Sequence, residues 1–186
     1  MVHWCRKVMN DETLKAVSGL PTREMAAFEI SGEFWATRCE WKSYVNAWYP
    51  HFDLNHNVMP PVKFDMIVIE QVLEHVKYPW RGISNIYEML NPGGWLLVTT
   101  PFLMQIHSDD DYTRWTAAGL KCLLEECGFP SERITAQQWG NRECAIADFQ
   151  SCAEGRGWHE YEAGKHSLVD EFCYPVVVWA LAQKGS

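Results

Sequence analysis

The segment Phe64-Asp65-Met66-Ile67-Val68-Ile69-Glu70 constrains this chain more than any other. An unbroken apolar centre bounded by charge belongs to a strand covered on both faces, as in a parallel sheet. Helical spacing follows, with Ile83, Ile86, Tyr87 and Leu90 at i, i+3, i+4 and i+7, and Asn91-Pro92-Gly93-Gly94 is the expected stop. Trp95-Leu96-Leu97-Val98-Thr99-Thr100 is a second apolar strand, halted by Pro101. Strand, helix and strand within about 37 residues predict a right-handed βαβ unit, and with it a three-layer α/β domain built on a mostly parallel sheet.

The flanks extend that plan. Asn10-Asp11 is expected to cap a short helix carrying Leu14, Ala16 and Val17, which Gly19-Leu20-Pro21 stops. Ala26-Ala27-Phe28-Glu29-Ile30 reads as a brief buried strand breaking into Ser31-Gly32. Residues 33–62 read as irregular, with Tyr49-Pro50 and Met59-Pro60-Pro61 denying a long helix. Thr116 is placed to cap a helix holding Leu120, Leu123 and Leu124 that closes at Cys127-Gly128. Ile134 to Trp139 is a further strand candidate, and Tyr174 to Leu181 is the last strong one. Residues 150–170, with Gly155, Gly157, Gly164 and mixed charge, read as a surface insertion. The expectation is one domain over 1–186, with 1–24 as its N-terminal helical segment.

Charge narrows the partners. Sixteen Lys plus Arg against 24 Asp plus Glu leave a net charge of −8, so unspecific attraction to nucleic acid or an anionic membrane is not expected. The opening Met-Val-His-Trp-Cys-Arg-Lys lacks the apolar core of a signal peptide, and no run approaches the roughly 20 apolar residues of a membrane span. Seven cysteines without a CxxC pair point to reduced thiols. A soluble cytoplasmic protein is the expectation.

Phe64-Asp65-Met66-Ile67-Val68 running into Val72-Leu73-Glu74-His75-Val76, then Met89-Leu90-Asn91-Pro92-Gly93-Gly94-Trp95-Leu96-Leu97-Val98 and Thr100-Pro101, resembles the central signature of the class I S-adenosylmethionine-dependent methyltransferases. The likeness extends more loosely through Arg114-Trp115-Thr116 to Cys127-Gly128-Phe129, covering about residues 25–135. It implies a Rossmann-like, seven-stranded sheet with an antiparallel last strand, S-adenosylmethionine as cofactor, and methyl transfer. A small-molecule or sugar-like acceptor, methylated on O or N, is the expected substrate. The alternative is a catalytically silent module of the same fold that binds a partner.

Open α/β sheets bind ligands beyond the carboxyl ends of their strands. In the family, the first strand enters an acidic-x-Gly-x-Gly loop against the cofactor; here the stretch is Glu29-Ile30-Ser31-Gly32-Glu33, with a single glycine. The resemblance implies cofactor contacts from Glu29, Ser31, Gly32, Asp53, Glu70 and Gln71. Asp53 resembles the acid that receives the adenine amino group, and an Asx turn explains it equally well. Glu40 is a candidate for the ribose acid by position alone. His107, in the loop after the second apolar strand, is the expected general base or acceptor-orienting group, with Arg114 closing that loop. His75 is the second catalytic candidate, or a brace for the following helix. His107 with Asp109 and Asp111 offers hard ligands, but a solvated acidic loop accounts for them and no metal is expected. Asn91 to Gly94 is assigned to structure, with Gly93 or Gly94 at positive φ.

Overall fold

A computed structural model of the chain describes residues 2–56 and 61–186. Its strands are β1 (Ala26–Ile30), β2 (Ser43–Ala47), β3 (Phe64–Glu70), β4 (Leu90–Pro101), β5 (Ile134–Trp139) and β6 (Val177–Gln183), in one sheet of order β2-β1-β3-β4-β6-β5. The first four strands of that order's left side run parallel, and β6 is antiparallel between β4 and β5. Six strands are therefore present among the described residues where the resemblance implied seven, and the antiparallel last strand is β6.

The helices are α1 (Trp4–Ser18), α2 (Pro79–Met89), α3 (Ala117–Glu126) and α4 (Arg142–Ala153). Strand side chains alternate between faces, so the continuous run in β3 serves two cores. Ile67 and Ile69 pack with Phe28, Leu96, Ile83, Ile86 and Leu124 beneath α2 and α3. Met66 and Val68 face the other way, with Ala27, Leu97 and Val17 of α1. Trp4, Cys5 and Met9 of α1 join Cys144 of α4 and Trp179 of β6 in a third cluster. Each fully buried aliphatic side chain of this kind contributes about 1.5–3 kcal/mol, so truncating Ile67 would cost more than any surface change.

Several expectations are corrected. Asn10 and Asp11 lie inside α1, which begins at Trp4 because Trp4, Cys5 and Met9 have core to cover. The supposedly irregular 33–62 region holds β2, an edge strand in which only Tyr44 and Ala47 are half-buried, so no alternation marks it. Met59 and Pro60 lie outside the described residues. Asn91 to Gly94 belongs to the start of β4; Gly93 has φ +74°, and Asn91 Nδ2 donates to Asp65 Oδ1 at 2.7 Å. Thr116 does cap α3, its Oγ1 accepting from the Gly119 amide at 3.1 Å.

Residues 150–170 are mostly exposed, and the segment is also tied to the rest of the fold. They begin within α4, whose buried face carries Asp148 and Ser151 beside Cys144 and Ala145. The following loop is pinned to the N-terminus: Trp4 N donates to His159 O at 2.8 Å, Tyr161 N to Val2 O at 3.0 Å, and the Trp4 ring stacks on His166 with centroids 4.2 Å apart. Among the described residues, no helix is long and apolar enough to cross a membrane.

Candidate active site

Parallel strands β1 and β3 end side by side, and a cavity of about 580 Å³ opens beyond them. A second cavity, about 590 Å³, lies around Pro21, Asp65 and Gly94 at the opposite end of the sheet. The first has the position expected for a ligand of an open α/β sheet and a volume within the range of small-molecule sites. Its walls include Ser31, Tyr49, Phe52, Asp53, Gln71, His75, Tyr78, Ser108 and Asp110.

Two wall residues hold backbone that side-chain-bearing residues rarely adopt: Ser31 at φ +59° and Gln71 at φ +56°. Each terminates a strand at the cavity, and left-handed backbone there costs about 1–2 kcal/mol per residue. Gln71 is held by Thr99, whose carbonyl accepts from its amide at 3.0 Å and whose hydroxyl accepts from Nε2 at 3.0 Å. Ser31 N donates to Ala47 O at 2.8 Å.

Glu29, Gly32 and Glu70 stand beside the cavity wall instead of on it. The Glu29 carboxylate is buried and accepts from Phe34 N at 3.1 Å, Trp35 N at 2.9 Å and Tyr44 Oη at 2.7 Å. Burial, then the bond to Glu29, holds the Tyr44 phenol above its usual range. A Cβ at Gly32 would overlap the Glu29 carboxylate, so glycine is required there by a neighbour within the protein. Trp35 Nε1 in turn donates to Glu70 at 3.3 Å, and burial raises the Glu70 carboxyl above the ordinary range. These residues shape the loop that follows β1.

Asp53 forms an Asx turn and also lines the cavity. Its Oδ1 accepts from Asn55 N and Nδ2, both at 2.8 Å, forming an Asx turn, while Oδ2 lies 3.9 Å from the His56 ring and the residue lines the cavity. Glu40 precedes β2 and pairs with Arg23 at 2.7 Å, at the end of the sheet away from the cavity, so it cannot be a ribose acid.

His75 and His107, 32 residues apart, meet at the far side of the cavity with their Nε2 atoms 3.2 Å apart. His107 Nδ1 lies 3.0 Å from Asp111 Oδ2, and His75 Nδ1 lies 3.1 Å from the Asp110 carbonyl and 3.2 Å from Ser108 Oγ. A carbonyl can only accept, so the Asp110 contact favours the proton of neutral His75 on Nδ1, and the neighbouring Asp111 carboxylate favours the same tautomer in neutral His107, with both Nε2 lone pairs left facing each other. Arg114 holds both Asp111 oxygens and reaches Gln105 O at 3.3 Å, which ties the two ends of the loop together. Burial lowers the His107 pKa despite Asp111 beside it. Asp111 is therefore committed to Arg114 and His107 and is not free to act with Asp109 as a hard ligand. Glu74, 1% exposed, brings its carboxylate within 3.8 Å of His75 Nε2, and its Oε2 is buried without a partner. Burial pushes the Glu74 carboxyl up to about 7.

Sequence reasoning missed Tyr49, Phe52 and Tyr78 as cavity walls and Glu74 as a member of the histidine cluster. The aromatic density between Trp41 and Phe52 was the only signal for the first two, and it carries no period that distinguishes wall from core.

A family model described as a methyltransferase domain matches residues 9–143. A Mycolicibacterium smegmatis protein named as a probable S-adenosylmethionine-dependent methyltransferase is 33% identical over 102 residues, covering 48% of this chain and 40% of that protein. The chain thus spans less than half the length of this curated relative. Among solved structures, phosphoethanolamine N-methyltransferase 2 of Haemonchus contortus superposes with a TM-score of 0.63 at 11% identity, covering 96% of this chain and 53% of that one. An S-adenosylmethionine-dependent methyltransferase of Mesorhizobium loti gives 0.58 at 15% identity over 97% and 100% of the two chains. The [4+2]-cyclase SpnF gives 0.61 at 16% identity over 99% and 83%. Identities this low establish a shared fold, and a cyclase among them shows that the fold does not dictate the reaction.

Proposed function

Since the chain belongs to the S-adenosylmethionine-dependent methyltransferase family, we propose that it methylates a small-molecule acceptor on O or N within the cavity beyond β1 and β3. One observation carries this reading: a single cavity joins left-handed Ser31 and Gln71 and the Asp53 carboxylate to His75. Those parts fit the cofactor. The turned backbone at Ser31 and Gln71 permits close approach at the strand ends, and Asp53, whose Oδ2 is not used in its Asx turn, would accept from the adenine amino group. Glu29, Gly32 and Glu70 act through the loop they shape.

When bound, S-adenosylmethionine supplies an electrophilic methyl group on a sulfonium and leaves as S-adenosylhomocysteine. The protein's share is alignment and proton handling. The acceptor nucleophile is oriented at the His75 and His107 end of the cavity, where its proton passes to an imidazole Nε2 lone pair as the new bond to carbon forms. Arg114 keeps His107 in place through Asp111. The seven unpaired thiols fit a reducing, cytoplasmic setting.

Calorimetric titration with S-adenosylmethionine and S-adenosylhomocysteine tests the reading. Both should bind one per chain, and Asp53→Ala should weaken them by about tenfold, the worth of one hydrogen bond. Absence of binding by either compound sinks the proposal. Tight binding with no methylation across a panel of hydroxyl and amine acceptors would favour the silent binding module. Gly32→Val is a poor probe, because it displaces Glu29 whatever the ligand does.

A further inference from the structure

In the neutral tautomers that their Nδ1 neighbours favour, the two imidazole lone pairs face each other across 3.2 Å and repel until a cation lies between them or a proton is shared. Beside them, the buried Glu74 carboxylate has an oxygen without a partner. We propose that Glu74, His75 and His107 bind one divalent ion of the zinc class, an assignment that shares two histidines with the methyl-transfer reading but does not depend on it.

Three independent features support the assignment. The first is distance. Zinc bonds imidazole nitrogen at about 2.0–2.1 Å, which in a tetrahedron separates two nitrogens by roughly 3.3–3.4 Å. The Nε2 atoms already stand at 3.2 Å, and all three donor atoms lie within 4.8 Å of one another. The second is ligand type. Two neutral imidazoles and one carboxylate suit zinc, whereas magnesium and calcium prefer sites built from oxygen.

The third is the support behind each ligand. His107 is oriented by Asp111 and His75 by the Asp110 carbonyl, the outer partners that metal-bound histidines use to fix the reacting nitrogen. Arg114 holds Asp111 in turn, so the carboxylate stays behind His107 and does not compete for the ion. The histidine side chains are 32% and 24% exposed, which leaves the ion an entry path and a fourth position. His75 also lines the cavity. The fourth position therefore suits an oxygen of the acceptor, a hydroxyl whose proton the ion helps release to solvent. That use rests on the methyl-transfer reading; the binding itself does not. With the ion bound, the imidazoles orient the acceptor through it and no longer serve as bases.

Zinc chloride titrated into chelator-treated full chain without S-adenosylmethionine, followed by calorimetry, tests the site. One ion per chain should bind, and cobalt(II) in its place should give the intense visible absorption of a four-coordinate centre. Glu74→Gln, nearly isosteric, and His107→Ala, in an exposed loop, should each weaken zinc by at least about tenfold. His166→Ala should leave it unchanged. A lack of saturable binding, or binding that either ligand variant leaves intact, overturns the inference; in that case the two imidazoles share a proton. Zinc binding without S-adenosylmethionine binding would keep the site and remove the methyl-transfer reading, and the reverse would do the opposite.

Discussion

Two pairs of histidines, bridged by Trp158, which precedes His159 and whose ring lies 5.8 Å from that of His107, have nearly the same separation and are chemically different. His159 and His166 approach at 3.3 Å between Nε2 atoms, His75 and His107 at 3.2 Å. In the first pair, the Glu162 amide donates to His166 Nδ1 at 3.0 Å. His166 therefore carries its proton on Nε2 and donates it to His159, and the bond is complete. In the second pair, the Asp110 carbonyl beside His75 Nδ1 and the Asp111 carboxylate beside His107 Nδ1 both favour a proton on Nδ1, which leaves the two Nε2 lone pairs facing each other with the Glu74 carboxylate alongside. A backbone N–H in one place and a carbonyl in the other decide whether a histidine pair is a clasp or an open ligand set.

The surroundings agree with that division. His166 lies flat on Trp4, whose indole N–H donates to Ser167 O at 3.0 Å, and the pair locks the 154–170 loop to the N-terminal helix. His75 instead borders the cavity, next to Ser108 and Asp110.

The largest effect that could break this comparison comes from the clasp. Trp4 is 3% exposed, and Trp4→Ala should cost about 3–5 kcal/mol. Thermal melts would show this as a fall of more than about 6 °C, with zinc and cofactor titrations of the folded variant unchanged. A native melting temperature would mean that the loop is held elsewhere. Next in size is zinc itself: at one hundred times its dissociation constant it should stabilise the wild-type protein by about 2.7 kcal/mol. The same shift should persist in His166→Ala and fall by about half or more in His107→Ala. A shift lost in His166→Ala would reverse the roles of the two pairs.

The smallest effect concerns Asp148, behind the clasp. Its Oδ1 accepts from His159 N at 2.9 Å, its Oδ2 is buried without a partner, and burial raises its pKa above the ordinary carboxylate range. Between the unfolded and the raised folded values, the folded chain holds the extra proton. Stability from this group is thus full below the ordinary carboxylate range and is lost as pH rises through the folded value. Asp148→Asn keeps the acceptor for His159 and removes the buried charge. Denaturant melts should show a gain of about 1 kcal/mol at pH 7 that disappears in acid, and a gain equal at both ends would exclude the charge as its cause.

Much of the framework was legible in the chain. β1 and β3 were bounded correctly because their apolar runs are continuous, and α3 because Thr116 and Gly128 mark its ends. β2 was hidden by its exposure, and α4 by a buried face that includes Asp148 and Ser151. The candidate site was legible as a set of loops and illegible as contacts. Ser31, Asp53, Gln71 and His75 line the cavity, while the Glu29 carboxylate turns inward to three donors that sequence spacing does not reveal.

The sequence by itself determined the parallel βαβ core, its turns and the family, because these rest on local propensity and on which side chains avoid water. Only the tertiary structure decided what each histidine can do. That depends on hydrogen-bond partners from elsewhere in the chain, since a donor or an acceptor at one ring nitrogen sets the proton on the other. For His75, the deciding atom is a carbonyl oxygen 35 residues away.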